Sequence, residues 1–309
     1  MLTVTGRLSL AGLLCICSTW SMAQAADSPA AADAPVVPEG AVVKKLADGF
    51  SFTEGPAAGP DGKIYFSDIP AERIHVFDPT TGKVAVHREQ SGKANGLMFS
   101  PDGALYACEG GSRCLTRQVG DSITTVADRF ENKSFNSPND LVLDAKGGVY
   151  FTDPRYGSRD GMELPFEGVY YVPPQNGRIR CVLDSLKRPN GLILSPDGKI
   201  LYVADNAAKT IWAYDVAPDG ALVRGRQFAA MDPDGQGGGD GMTIDERGNV
   251  YCAGQGSIWI WNPAGQLVGK VTPPEAPANC DFGGVKNKTL YITARTGFYS
   301  VELNVGGIR

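Results

Sequence analysis

The sequence predicts an all-β protein, a six-bladed β-propeller, because one pattern of short strands occurs six times at intervals of 39 to 51 residues. Each copy has a leading polar residue, a short apolar run, a turn and a second apolar run that ends in a small or acidic residue. Repeats of about 40–50 residues built from short strands are typical of propellers, in which each copy forms one four-stranded blade. The leading residues are Glu54, Asn95, Asn139, Asn190, Asp240 and Asn279.

Blade one shows how the pattern becomes a sheet. Its second strand alternates with the period of two that a pleated strand requires. Ile64 and Phe66 are predicted on one face of the blade. Tyr65 and Ser67 are predicted on the other face. Turns that contain Gly separate the strands, which are predicted to cover residues 54–59, 63–68, 73–79 and 83–88.

The sixth blade is predicted to borrow a strand. The sequence from Asn279 onward provides three strand-like segments, the last of them at 297–304, and no fourth. Residues 41–48 (AVVKKLAD) form a strand-like segment that belongs to no other blade. We therefore expect 41–48 to supply the outer strand of blade six, which closes the ring and leaves no open edge at the join.

The residues before this strand are expected to lie outside the fold. A basic residue, the apolar run 8–17 and a small-x-small cleavage site at 23–25 predict a secretory signal peptide over 1–25. The Ala- and Pro-rich segment 26–40 is predicted to be a disordered leader. Residues 41–309 then form a single-domain propeller, and we expect the protein to be exported to the periplasm or secreted.

Composition restricts the possible partners. The formal net charge is −5, and there is no basic stripe to meet phosphates, so no nucleic-acid partner is expected. Beyond the signal peptide no segment is apolar enough to span a membrane, so none is expected to hold the cleaved protein there. A small-molecule substrate is the expected partner, and the sequence leaves the oligomeric state open.

Two of the five cysteines that follow the predicted cleavage site are close in sequence. Cys108 and Cys114 flank a turn in the second blade. They either form a disulfide, as an oxidising compartment allows, or are two buried thiols on neighbouring strands. The sequence does not decide between these alternatives.

The leading residues of the repeat mark a candidate metal site. The first strand of each blade lines the axis of a propeller, so these side chains are expected to face the central channel. Crowded carboxylates repel one another, and a divalent cation between Glu54 and Asp240 would relieve that repulsion. Carboxylate and amide oxygens suit Ca²⁺, with Mn²⁺ and Mg²⁺ as further options. Zn²⁺ would be expected to recruit His or Cys, and His75 and His87 lie in predicted outer strands.

A second group of acids is predicted at the same end of the channel, where the second strands end. An alternative interpretation makes both groups structural, because Asn and Gly cap turns and an Asp that ends a strand can tie neighbouring loops together. Acids at only two of the leading positions favour a site over turn formation alone. The strand-ending acids are Asp68, Glu109, Asp153 and Asp205.

Several spaced motifs give the chain a resemblance to the family of gluconolactonase, senescence marker protein (regucalcin) and luciferin-regenerating enzyme. The resemblance extends from about residue 45 to 300. It implies a six-bladed propeller with one divalent metal, often calcium, in the channel. The motifs are FTEGP (52–56), SPNDLV (137–142), FTDPRYG (151–157), RPNGL (188–192), SPDGKILYVAD (195–205), GDGMTID (239–245) and NCDFGG (279–284).

The resemblance also implies roles for individual residues. Glu54, Asn190 and Asp240 are implied to be metal ligands, and Asp240 to be the group that transfers a proton. Asn139 is implied to touch metal-bound water or substrate, and we count it among the candidate ligands as well. The arginine that binds substrate in some members is Ser137 here, so a sugar-lactone specificity does not follow from the motifs.

Three further residues are candidates for substrate contact. Arg155 and Tyr156 lie in the loop after the second strand of blade three. Asp205 is expected close to Asp240 and is also a second candidate for the base.

The function implied by the resemblance is metal-dependent opening of a lactone, in which the metal polarises the carbonyl and Asp240 accepts the proton of the attacking water. One alternative is hydrolysis of another carboxylic ester or of a phosphotriester on the same scaffold. Another is a non-catalytic propeller that binds a protein or glycan on its channel face.

Overall fold

The structure is a computed structural model that describes residues 1–3, 5, 34–174 and 177–308. The chain divides into two units, Met1–Ala34 and Pro35–Arg309. The described residues of the second unit form six four-stranded sheets and one two-stranded ribbon. The predicted six-bladed propeller is confirmed. Except for the few described positions, the predicted signal peptide and the first part of the predicted leader lie outside the described residues.

The strands are numbered in chain order. The outermost strand of blade six is β1 (Lys44–Asp48). Blade one contains β2 (Thr53–Ala58), β3 (Ile64–Asp68), β4 (Arg73–Asp78) and β5 (Lys83–Glu89). Blade two contains β6 (Ala94–Phe99), β7 (Leu105–Glu109), β8 (Cys114–Val119) and β9 (Ser122–Ala127). A ribbon of β10 (Arg129–Phe130) and β11 (Lys133–Ser134) follows.

Blade three contains β12 (Leu141–Leu143), β13 (Val149–Asp153), β14 (Gly168–Val172) and β15 (Arg180–Leu183). Blade four contains β16 (Pro189–Leu194), β17 (Ile200–Asp205), β18 (Thr210–Val216) and β19 (Leu222–Ala230). Blade five contains β20 (Met242–Ile244), β21 (Val250–Gly254), β22 (Ser257–Trp261) and β23 (Leu267–Val271). Blade six contains β24 (Pro277–Gly283), β25 (Thr289–Ala294) and β26 (Gly297–Glu302), with a 3₁₀ turn at Val285–Asn287.

Successive side chains of a strand pack against different neighbouring blades, and the core therefore lies between the sheets. Phe66 on β3 stacks on Phe298 of blade six, with ring centroids 4.5 Å apart. Tyr65 packs instead against Phe99 of blade two, at 4.9 Å. This is the alternation that the sequence predicts. Each strand therefore contributes to two interfaces. Burying a side chain such as Phe in one of them stabilises the fold by about 1.5–3 kcal/mol.

The ring closes as predicted. The sheet order β1-β26-β25-β24 places β1 at the outer edge of blade six, with Lys44 opposite Ser300 and Asp48 opposite Gly297. The second unit begins at Pro35, and Val36 is buried in the core of blades five and six. The predicted bounds of the leader and of the propeller stay predictions.

The five cysteines of the propeller are free thiols. Cys108 lies opposite Leu115 and Cys114 lies opposite Glu109 on the paired strands β7 and β8. Neighbouring residues of a strand point to opposite faces, so the thiols of Cys108 and Cys114 are on opposite faces of blade two. The structure therefore shows the second alternative, two buried thiols. Among the described residues, no helix is long and apolar enough to cross a membrane.

Candidate active site

The leading residues of the six blades lie where the innermost strands approach one another. Glycine makes this approach possible: a Cβ on Gly55 would lie 2.1 Å from the carbonyl oxygen of Asn95, and one on Gly191 would lie 2.1 Å from that of Asp240. No side chain fits at such a distance, which explains the Gly that follows most leading residues. Four leading residues are buried and two are partly buried. The buried ones are Glu54, Asn139, Asn190 and Asn279, and the partly buried ones are Asn95 and Asp240.

Glu54 and Asp240 form the acidic centre of the site, and we call them the inner tier. Burial raises the pKa of Glu54 to about 7, against hydrogen bonds donated by the Gly55 N–H (2.9 Å) and the Asn279 side chain. Burial also raises the pKa of Asp240 well above its ordinary value, and the charge of Glu54 raises it further. A hydrogen bond from Asn190 lowers the pKa of Asp240 in part. The two carboxyl groups thus lie within electrostatic reach of each other, where ionising both is costly.

Asp140 is a third acid at the axis, and the sequence reasoning missed it. Burial raises its pKa well above the ordinary value, and so does the charge of Glu54, while hydrogen bonds from the Leu141 N–H (2.9 Å) and from Asn279 lower it. A signal was present in the sequence. The residue after the leading residue is Gly in four copies, whereas it is Asp140 in the third and Cys280 in the sixth.

The donor set at the axis fits a hard divalent cation such as Ca²⁺, which prefers carboxylate and carbonyl oxygens. Glu54 and Asp240 supply carboxylates, and Asn139 and Asn190 supply carboxamide oxygens. The glycines at the axis let the innermost strands approach closely, because Cβ atoms there would collide with the neighbouring strand. In the part of the chain that the structure describes, no group of three or more His, Cys, Asp or Glu side chains is arranged to hold a metal. An ion here would therefore depend on the Asn oxygens.

The acids that end the second strands have another environment. Asp68, Asp153 and Asp205, which we call the outer tier, accept hydrogen bonds from backbone N–H groups two and three positions before the leading residue of their own blade. The donors are Ser51 and Phe52 for Asp68, Asn136 and Ser137 for Asp153, and Lys187 and Arg188 for Asp205, at 2.7 to 3.0 Å. The loop-tying interpretation is therefore confirmed for these three acids.

The Asp205 carboxylate is therefore fully engaged by backbone groups. A third backbone group, the Ala208 N–H, donates to the same carboxylate at 3.2 Å, and both of its oxygens are engaged. Its suggested role as a base or substrate contact stays a prediction, and these bonds count against it because a base needs an oxygen available to water.

Glu109 departs from the outer-tier pattern. It forms a hydrogen-bonded ion pair with Arg88 and accepts a hydrogen bond from the Thr116 hydroxyl at 2.7 Å. Both side chains of the ion pair are buried, with exposures of 9% for Arg88 and 6% for Glu109. Blade two thus uses a side-chain cation where blades one, three and four use backbone amides.

The loop between β13 and β14 brings Tyr156 to the inner tier. The Asn190 side-chain amide donates a hydrogen bond to the Tyr156 hydroxyl oxygen at 2.6 Å. Burial raises the pKa of Tyr156, so the hydroxyl stays protonated at neutral pH. The guanidinium of Arg155, in contrast, is bonded to backbone carbonyls of the loop and of Asn136.

A cleft of ≈ 450 Å³ opens beside the axis, and we call it the axial cleft. Its lining includes Asn95, Ser137, Arg155 and Tyr156. The cleft has the size of a pocket for a small molecule. Contact of Arg155 and Tyr156 with a substrate stays a prediction, although both line the space where one would bind.

Most of the chain is similar to known proteins. A family model described as SMP-30/Gluconolactonase/LRE-like region matches residues 52–296. A gluconolactonase of Zymomonas mobilis is 34% identical over 295 residues, which cover 86% of this chain and 82% of the relative. The solved structure of a gluconolactonase from Xanthomonas campestris has a TM-score of 0.80 at 29% identity and covers 87% of this chain and 94% of that one. Regucalcin from Agrobacterium tumefaciens, a calcium-binding protein, shares the fold with a TM-score of 0.75 at 19% identity, over 89% and 97% of the two chains.

Proposed function

Since the chain belongs to the SMP-30/gluconolactonase/LRE-like family and is a lactonase-type hydrolase, we propose that it opens its lactone in a metal-dependent reaction at the inner tier. The observation that carries the proposal is the burial of Glu54 and Asp240 within electrostatic reach of each other. Two neighbouring carboxylates, one buried and one partly buried, with no role in tying loops are costly to the fold, and a bound cation would offset that cost.

Glu54, Asn139, Asn190 and Asp240 are proposed to hold the cation. When bound, it would polarise the lactone carbonyl and stabilise the negative charge that develops on its oxygen. Ca²⁺ is the first choice because all four side chains offer oxygen, and a calcium-binding protein has the same fold. Mn²⁺, Mg²⁺ and Zn²⁺ are the ions to compare with it.

Asp240 is proposed to accept the proton of the attacking water. The water oxygen bonds to the carbonyl carbon, the ring C–O bond breaks, and Asp240 returns the proton to the departing ring oxygen, which yields a hydroxy acid. Asp240 is only partly buried, so water can reach it. General base catalysis of this kind contributes about 10²–10⁴-fold to the rate.

Asn139, Arg155, Tyr156 and Asp205 are the proposed substrate contacts. Tyr156 is the best placed of them, because its side chain is 44% exposed and lines the axial cleft. Arg155 and Asp205 already bond to backbone groups, so direct contact through them requires that these bonds be shared.

The test is a proton-release assay on five- and six-membered lactones, with purified protein before and after treatment with EDTA. We expect turnover to be lost with the metal and restored by Ca²⁺ or Mn²⁺. Aryl esters and phosphotriesters in the same assay test the second candidate function. Turnover of all these substrates that is unaffected by EDTA would contradict metal dependence, and no turnover of any of them would favour a binding propeller.

Export is also proposed, from the signal-peptide pattern over 1–25. Expression of the full chain in a Gram-negative host, followed by fractionation and N-terminal sequencing, tests it. A mature protein that starts near residue 26 in the periplasmic fraction would support export, whereas an uncleaved protein confined to the cytoplasm would contradict it.

A further inference from the structure

The loop between β13 and β14, residues 154–167, is braced at its two ends by one buried carboxylate. Glu167 is 5% exposed. It accepts a hydrogen bond from the Arg155 N–H at 3.1 Å and one from the Arg159 guanidinium at 2.6 Å. The end of the loop is thereby bound to its beginning and to its middle. Hydrogen bonds to a charged partner are stronger than those between neutral groups, so Glu167 restrains the conformation of this loop.

The Arg155 side chain is a second brace. Its guanidinium donates to the carbonyl oxygens of Ser158 (2.8 Å) and Asp160 (3.2 Å), which lie within the loop. It also donates to the carbonyl oxygen of Asn136 at 3.0 Å, which lies just before the leading residue of blade three. The loop is thus fixed to the axial end of its own blade.

These two braces hold Tyr156 against blade four. The Tyr156 hydroxyl oxygen accepts the hydrogen bond from Asn190 Nδ2 at 2.6 Å. The Arg188 guanidinium lies over the Tyr156 ring at 5.1 Å from its centroid, and Arg188 Nε is 3.6 Å from Glu167. The loop of blade three therefore contacts both Asn190 and the residue two positions before it.

We infer that Tyr156 is a positioning residue that fixes the Asn190 carboxamide and thereby sets the affinity of the inner tier for its cation. A carboxamide binds a cation through its oxygen and not through its nitrogen. The Asn190 nitrogen donates to the Tyr156 hydroxyl and to Asp240, so its hydrogens are engaged and Oδ1 is the atom left to be offered. The inference rests on the cation of the proposed function and adds a partner outside the ligand set.

The braced loop and the cation site are then coupled. Partners that orient a metal ligand typically change metal affinity by about 10–100-fold when they are removed. Coupling between two sites is reciprocal, so a bound cation also stabilises the position of the 154–167 loop. A Tyr156 that served only as a wall of the axial cleft would have neither effect, because its ring is unchanged when the hydroxyl is removed.

The experiment compares Tyr156→Phe with wild type by calorimetric titration with Ca²⁺, with no substrate present. We expect Ca²⁺ to bind roughly tenfold more weakly to the variant. Hydrogen exchange of residues 154–167 should slow on adding Ca²⁺ in wild type and change little in the variant. Tyr156 is partly exposed, so removing its hydroxyl leaves the fold intact.

Tyr171→Phe is the matched control. This variant also deletes a tyrosine hydroxyl from blade three, one that donates to Asp144 at 2.7 Å in the turn between the first two strands, and it should leave Ca²⁺ affinity unchanged. Equal Ca²⁺ affinity of wild type and Tyr156→Phe would overturn the inference alone, as would equal losses in the two variants. A wild-type protein that binds none of the four divalent ions would overturn the proposed function as well.

Discussion

The inner and outer tiers of acids occupy neighbouring positions of one repeat, yet their partners differ. Glu54 and Asp240 of the inner tier accept hydrogen bonds from the side-chain amides of Asn279 and Asn190 and lie in each other's field. The outer tier, Asp68, Asp153 and Asp205, accepts two or three backbone N–H groups per carboxylate. A substrate or a metal could reach an outer-tier carboxylate only by displacing these backbone amides, which would disrupt the loop that they belong to. Two or more backbone N–H groups from a neighbouring loop thus mark an acid of this repeat as structural, and the inner tier has no such set of donors.

The largest effect that this comparison predicts is on turnover. Asp240→Asn should lower kcat by about 10²–10⁴-fold even with saturating cation, because the base is lost. The matched outer-tier variant Asp205→Asn should retain kcat per folded molecule within a few fold of wild type at saturating lactone, and the loss of its proposed substrate contact should appear in KM. Initial rates on a lactone, normalised to the folded fraction measured by circular dichroism, check both. A reversed result would make Asp205 the base and would break the distinction between the tiers.

The largest effect on stability is expected for the Arg88–Glu109 ion pair, which departs from the outer-tier pattern. Arg88→Met leaves the buried Glu109 carboxylate without its cation, which typically costs about 3–5 kcal/mol in the free energy of unfolding. Arg224→Met is the control, since Arg224 pairs with Asp215 at an exposed site (77% for Arg224), where such pairs contribute about 0–1 kcal/mol. Urea denaturation of both variants measures the difference. Equal losses would mean that the Arg88–Glu109 pair contributes no more than a surface pair.

A smaller loss is expected for the outer tier itself. Asp205→Asn removes a charged acceptor from three backbone N–H groups, and we expect the free energy of unfolding to fall by about 1–3 kcal/mol. Asp197→Asn in the same blade is the control. Asp197 is 56% exposed, so water can replace the bonds that it makes. If the two variants unfold at the same urea concentration, the loop ties contribute nothing measurable.

The smallest effect concerns pH. His75 packs between the rings of Phe50 and Phe66, and burial lowers its pKa by more than the nearby charge of Asp68 raises it. The unfolded chain then binds a proton more readily than the folded one, so stability should fall as the pH drops below about 6.5. This residue can contribute at most about 1.4 kcal/mol per pH unit.

His75→Phe should flatten that part of the pH dependence, because the new ring fits the same aromatic stack and does not titrate. Urea denaturation of wild type and variant between roughly pH 5 and pH 7 measures it. The slope that remains in the variant reports the carboxyl groups and His87. The pKa of His87 is also lowered by burial. An unchanged slope in the variant would mean that the pKa of His75 is the same in the folded and the unfolded chain.

The sequence predicted the ring, its closure by β1, the alternation along β3 and the meeting of Glu54 with Asp240, because all of these follow from a repeat whose period and polarity can be read directly. It could not tell that Asp205 is bonded to backbone N–H groups, since those donors come from a loop whose path no local pattern specifies. Asp140 was missed because it occupies the position after the leading residue, where four of the six copies have Gly. The bracing of Tyr156 by Glu167 was beyond prediction, since it depends on the conformation of a loop without periodicity.

The pairing of β1 with β26 has a consequence for biogenesis. The earliest-made strand of the propeller pairs with the latest-made strand, so this contact cannot form before synthesis of the ring is nearly complete. Proteins dominated by such distant contacts fold slowly and expose strand edges meanwhile. A circular permutation that joins β26 covalently to β1 should increase the rate of folding.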